Sequence, residues 1–142
     1  MGKKRIIKKS GGDQSGTSTA LSRIPKKKVD SGILNVTATF NNTLLTLCDA
    51  KGNALISASS GALGFNGSRK STPFAAAKVG EIIGDKALQM GMKEAHVVIK
   101  GVGAGRESAL RAFAGKGINV NKISDRTPVP HNGPRAKKAR RV

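Results

Sequence analysis

Aromatic residues are scarce in this 142-residue chain: four Phe, no Trp and no Tyr. That argues against recognition built on stacking unpaired bases over an aromatic platform. The single cysteine, Cys48, excludes an internal disulfide and any cysteine-rich zinc module, and reads as a small buried hydrophobe. No apolar run approaches the roughly 18 residues of a membrane helix. The basic start runs into Ser10-Gly-Gly-Asp-Gln-Ser rather than an apolar stretch, so no secretory signal is expected, and Ile6 stands where a myristoylation signal places Ser or Thr. The expectation is a soluble intracellular protein without membrane contact.

Acidic residues are also few, eight Asp plus Glu against 26 Lys plus Arg, for a net charge of +18. A chain this basic repels itself unless a polyanion supplies counter-charge. The imbalance is uneven. Residues 1–30 carry nine basic and two acidic residues, residues 31–121 ten and five, and residues 122–142 seven and one. The expected organisation is a basic, disordered arm over 1–30, an α/β domain that contacts nucleic acid over 31–125, and an extended basic tail over 126–142.

Within the domain, Leu34, Val36, Ala38 and Phe40 alternate with Asn35, Thr37 and Thr39, the period of a strand. Asn41-Asn42 then suits a hairpin turn, because Asn tolerates the left-handed conformation. Thr43 to Cys48 reads as the return strand, and a second turn ending in Gly52 leads into a third strand from Asn53. Ser71-Thr72-Pro73 opens a helix with a hydroxyl cap and Pro at its first position. Val79, Ile82, Ile83, Ala87 and Met90 supply its apolar face, and it ends near Gly91. His96 to Ile99 reads as a strand covered on both faces. A second helix from Arg106 carries Leu110, Phe113 and Ala114 inward, with Glu107 and Arg111 paired outside. Ile118 to Ile123 is the last strand. The order βββαβαβ implies a mixed α/β sheet with helical crossovers.

Three stretches carry binding chemistry. Gly101-Val-Gly103-Ala-Gly105-Arg106 lies between a strand and a helix, and fits either a tight turn that needs glycine or a phosphate site at a helix start. It is neither a dinucleotide fingerprint nor a P-loop. A cation at a helix start opposes the dipole unless an anion neutralises it, which favours the phosphate at Arg106. Gly67-Ser68-Arg69-Lys70-Ser71-Thr72 offers cations and short donors at the other helix start, with a capped loop and solvated cations as the alternative. The end, Asp125-Arg126-Thr-Pro-Val-Pro-His131-Asn132-Gly-Pro-Arg135, alternates prolines with small polar residues and reads as extended chain or linker.

Asn41-Asn-Thr, Gly67-Ser-Arg-Lys-Ser-Thr-Pro-Phe-Ala-Ala, Gly105-Arg-Glu-Ser and Asp125-Arg-Thr-Pro-Val-Pro-His-Asn-Gly together closely resemble the universal small-subunit ribosomal protein eleven family, bacterial type, from about Ser31 to Val142. The resemblance implies a ribonuclease-H-like fold without catalysis, placed on the platform of the small subunit. There it would bridge rRNA helices near the mRNA exit path and the Shine–Dalgarno cleft, beside small-subunit proteins seven and eighteen. It implies RNA contacts from Asn41, Asn42, Ser68, Arg69, Lys70, Ser71, Thr72, Gly103, Gly105, Arg106, Arg126, His131 and Asn132. The basic tail adds Arg135, Lys137, Lys138, Arg140 and Arg141. A cytoplasmic ribosome is the expected location, with an organellar ribosome as the alternative. Val102 and Ala104 stand where the family often has prolines, and Asn66 where it often has a basic residue.

No enzyme is expected. The first strand, Ile33 to Phe40, holds no acid for a two-metal nuclease, and there is no Gly-x-Ser-x-Gly nucleophile elbow. His96 reads as a packed or edge residue and His131 has no ligand partner nearby, so no metal, cofactor or small-molecule substrate is implied. A DNA-compacting protein and an adaptor for acidic proteins remain the alternatives at this point. Asn132-Gly133 leaves the backbone unhindered for cyclisation, so aged protein should accumulate isoaspartate at position 132. Peptide mapping that resolves isoaspartate from Asn and Asp checks this, and its absence after prolonged incubation would dispose of it.

Overall fold

A computed structural model describes residues 24–141; most of the basic arm, residues 1–23, and Val142 lie outside the described residues. Five strands and two helices follow in the expected order: β1 (Ser31–Ala38), β2 (Thr43–Asp49), β3 (Ala54–Ser59), α1 (Pro73–Gln89), β4 (Glu94–Lys100), α2 (Gly105–Ala114) and β5 (Asn119–Asp125). Short 3-10 turns at Gly61–Leu63 and Gly67–Ser71 fill the crossover from β3 to α1. The sheet order is β3-β2-β1-β4-β5, antiparallel among the first three strands and parallel from β1 through β4 to β5. This is the mixed α/β sheet that the alternation of periods implies.

One alternation set of each strand builds the core. Leu34 and Val36 lie opposite Leu47 and Leu45 across the β1–β2 ladder. With Ile56, Val97 and Ile99 they meet Val79, Ile83, Ala109 and Phe113 of the helices in a single apolar cluster. Both helices therefore lie on one face of the sheet. Gly80 of α1 approaches α2 so closely that a Cβ there would stand 2.6 Å from the Ala109 carbonyl oxygen. The expected cover on both faces of β4 is not found. Val98, on the other face, is nonetheless buried between its register neighbours Asn35 and Ser124. His96 also lies on that face, bonded to Ser124 Oγ at 2.9 Å, and Cys48 is buried.

Three local expectations need correction. Phe40 does not extend the inward face of β1 but stands 76% exposed. The strand ends at Ala38 because Thr39 Oγ1 accepts the N–H groups of Asn41 and Asn42 and closes the hairpin there. Neither Asn uses the left-handed conformation, since Asn132 is the one non-glycine residue with positive φ among the described residues. In α2, Phe113 is fully buried and Leu110 packs half-buried against the core as expected, but Ala114 is only half-buried and Ala109 is the fully buried small residue instead. Close helix packing selects the small residue.

Residues 24–30 run back along the domain. The Val29 N–H donates to Met90 O, and Asp30 O accepts from the N–H groups of Lys93 and Glu94. Asp49 anchors this segment and the β2–β3 turn together. Its carboxylate accepts Lys27 Nζ, Asn53 Nδ2 and the N–H groups of Lys51 and Asn53. Lys27 first, then Asn53, hold its pKa well below the usual carboxylate range. The stabilisation this contributes is complete above the ordinary value of 3.8 and is lost as pH falls below it.

Lys86 sits on the inward face of α1 at 8% exposure, with no hydrogen-bond partner for its amine among the described residues. Burial pushes its pKa down. A buried cation without a partner costs stability, so Lys86→Met should raise the melting temperature by roughly 4 °C, the equivalent of about 1 kcal/mol. Thermal denaturation followed by circular dichroism checks this; an unchanged or lower midpoint would mean that the amine has a partner.

Candidate nucleic-acid interface

In a sheet with parallel strands, the carboxyl ends of the strands and the starts of the following helices meet along one edge. Here that edge gathers the β1–β2 turn, the Gly101–Gly105 loop, the starts of α1 and α2, and the exit of the tail. The loop is seated directly on β1. The Gly103 N–H donates to Ala38 O at 3.0 Å. A Cβ at Gly101 or Gly103 would stand within 2.3 Å of the carbonyl oxygen of Ala38 or Thr39, and Gly101 holds φ at 95°. Gly105 lies against Thr43 at the start of β2 and Ala76 in the first turn of α1, again with no room for a Cβ. The glycines thus serve the tight-turn reading. Gly103 and Gly105 are buried, and they draw the flanking polar residues together.

At the start of α1, Thr72 caps the helix by accepting the Ala75 N–H and donates its own proton to Arg69 O at 2.7 Å. Ser71 Oγ donates to Ser68 O. These hydroxyls build the 3-10 turn that presents Arg69 and Lys70. Neither cation has a carboxylate partner among the described residues, and Arg69 is exposed. In the neighbouring turn, Asn41 is exposed and Asn42 Oδ1 accepts the Thr43 N–H.

Arg106 is placed differently. One guanidinium nitrogen donates to Gly101 O and, at 3.1 Å, to Thr127 Oγ1, while the other pairs with Asp125. The anion that offsets this cation at the α2 start is therefore the chain's own carboxylate. Asp125 in turn accepts the N–H and hydroxyl of Thr127, at 2.9 and 2.6 Å. Those two bonds, followed by Arg106, hold its pKa at about 2. The α2 start itself has no side-chain cap.

Beyond this node the tail leaves the domain. The Arg126 N–H still joins the β4 ladder through Ile99 O, but its side chain is exposed, as are His131, Asn132, Arg135, Lys137, Lys138, Arg140 and Arg141. Asn132 turns the chain with φ at 53°. Among the described residues, five ion pairs take up Asp49, Glu81, Asp85, Glu107 and Asp125, so little acidic charge is left there to oppose the exposed cations. No cluster of His, Cys, Asp and Glu that could hold a metal exists among the described residues, and no helix is long and apolar enough to cross a membrane.

Sequence reasoning picked out the glycines, Arg69, Lys70 and Arg106, but missed Thr39, Asp125 and Thr127 as organisers. A signal was present: Asp followed two residues later by Thr and then Pro is a local side-chain turn.

The chain matches the family model described as Ribosomal protein S11 over residues 32–141. It is 54% identical over 120 residues to the small ribosomal subunit protein uS11 of Treponema pallidum subsp. pallidum, a match that covers 84% of this chain and 95% of that protein. The protein of the same name from Treponema pallidum strain Nichols gives the same identity and coverage.

The depressed pKa of Asp125 sets the acid limit of the node. Its bonds to Thr127 form with the carboxylate, so they should persist below the ordinary 3.8 and be lost as pH falls through about 2. An NMR titration of the Thr127 amide checks this; a midpoint near 3.8 would mean that the bonds are not held in solution.

Proposed function

Because the chain belongs to the ribosomal protein S11 family, a non-catalytic, RNA-binding constituent of the small ribosomal subunit that serves translation, we propose that it bridges rRNA helices on the platform of that subunit in a cytoplasmic ribosome. The platform lies near the mRNA exit path and the Shine–Dalgarno cleft, with small-subunit proteins seven and eighteen as neighbours. The observation that carries the reading is the convergence of two helix starts, the Asn41-Asn42 turn and the tail exit on one edge, with Arg69 and Lys70 free of carboxylate partners among the described residues.

Recognition on this edge is by shape and backbone, since A-form grooves hide base edges from side chains. Arg69 and Lys70 meet phosphates, held at fixed spacing by the Ser68–Thr72 turn, and the amide of Asn41 adds a polar contact. Ser71, Thr72, Gly103 and Gly105 act through the shape they impose. Arg126, His131, Asn132, Arg135, Lys137, Lys138, Arg140 and Arg141 follow an adjacent helix as an extended chain and neutralise the repulsion between neighbouring backbones. The rigid, glycine-seated loop favours a folded RNA of defined shape over nonspecific duplex DNA.

Tagged protein sedimented from lysate at raised salt should travel with the small subunit, and the cross-linked RNA recovered should map to the platform. Migration in light fractions or with bulk DNA would overturn the reading. Exchange of Arg69 and Lys70 to Gln should lower the slope of log affinity against log salt by about 1.5, from roughly 0.7 to 0.9 for each phosphate contact. An unchanged slope would remove the pair from the contact set.

A further inference from the structure

The Arg106 guanidinium faces into the molecule. Its partners come from three places: Gly101 O at the end of β4, Asp125 at the end of β5, and Thr127 at the root of the tail. The Thr127 hydroxyl is fully used. Its one proton goes to Asp125 Oδ1 at 2.6 Å, and its oxygen accepts from the Gly101 N–H at 3.2 Å and from Arg106 at 3.1 Å. Pro128 follows immediately, and a residue before proline is restricted to extended backbone. A second proline at 130 stiffens the same run. Nothing beyond Thr127 packs on the domain, since every described residue from Pro128 to Arg141 is exposed. The direction in which the tail leaves the domain, as far as the turn at Asn132 that precedes its five cations, is therefore set at a single polar node.

We infer that Arg106 is a positioning residue, which aims the basic tail at RNA through Asp125 and Thr127 instead of holding a phosphate itself. This rests on the rRNA-binding reading above and adds a division of labour to it. The edge formed by Arg69 and Lys70 binds directly, while Arg106 reduces the ordering cost of the tail by presenting its root already extended as far as the turn at Asn132. The fork matters here more than the charge. A guanidinium reaches Gly101 O, Thr127 and Asp125 at once, and a lysine amine at the same place cannot span them.

The test is a double-mutant cycle in the full-length chain, with affinity for a full-length small-subunit rRNA transcript measured across a salt series. Arg106→Gln and Thr127→Val are each combined with a tail in which Arg135, Lys137, Lys138, Arg140 and Arg141 are changed to Gln. Arg106→Gln should weaken binding by about tenfold with the native tail and by less than about twofold with the neutral tail. Thr127→Val should behave alike although it removes no charge, and Arg106→Lys should fail to rescue. Heteronuclear relaxation should show Val129 gaining motion in Arg106→Gln and Thr127→Val while the sheet amides stay unchanged.

The inference is overturned if the loss from Arg106→Gln is the same with either tail, with a salt slope lower by about 0.7 to 0.9 in both and restored by lysine. That pattern belongs to a direct phosphate contact. Should Arg106→Gln melt the domain, Thr127→Val carries the cycle alone. Failure of the unaltered chain to bind the transcript would count against the rRNA reading, and the relaxation of Val129 would still decide whether the node orders the tail.

Discussion

The interface depends on the contact between the Gly101–Gly105 loop and the end of β1. The loop can lie on the Ala38 and Thr39 carbonyls only because Gly101 and Gly103 have no side chain, and this brings β4, α2 and the tail exit against the β1–β2 turn. A methyl group at either position would meet backbone oxygen, which cannot move aside without separating β1 from its neighbours. A buried N–H left without the Ala38 carbonyl would add its own desolvation cost. The loop is therefore a hinge pin for that edge, and the proposed phosphate contacts Arg69 and Lys70 lie outside it.

Charge is arranged around that frame in two classes. Cations that face a carboxylate hold the protein together: Lys27 fastens the entering chain to Asp49, Lys116 reaches Asp85, and Arg106 ties β5 to α2. Among the described residues, the cations without one include Arg69, Lys70 and those of the tail, which stay available to a polyanion. Exposed pairs such as Lys78–Glu81 and Glu107–Arg111 contribute little to stability, but they do remove negative charge from the surface.

Much of this was legible in the residues because it is local. The Thr72-Pro73 helix start, the Gly52 turn and the change of period from strands to helices depend on neighbours within a few positions, and each is found where expected. What was not legible depends on residues far apart in sequence. The positive charge of Arg106 can be read from the chain, but its partner lies 19 residues on, at the end of another strand. Phe40 fits the alternation of β1, yet Thr39 closes the hairpin one residue earlier, and no periodicity registers a hydroxyl competing for backbone N–H groups. The buried amine of Lys86 is equally silent, since lysine on a helix ordinarily reads as surface. The resemblance to a family supplied the fold as a whole, whereas the roles of Thr127 and Asp125 emerge only from the three-dimensional arrangement.

Every described residue of the tail from Pro128 to Arg141 is exposed, so the folding free energy depends little on its composition. Substitutions there leave the sheet and helices untouched. Whatever restrains the sequence of that segment must act through the partner it meets. The domain answers to two separate selective pressures, packing and binding, and the tail answers to one. Under the proposed reading, composition in the tail can drift with the nucleic acid it meets without first being screened for stability.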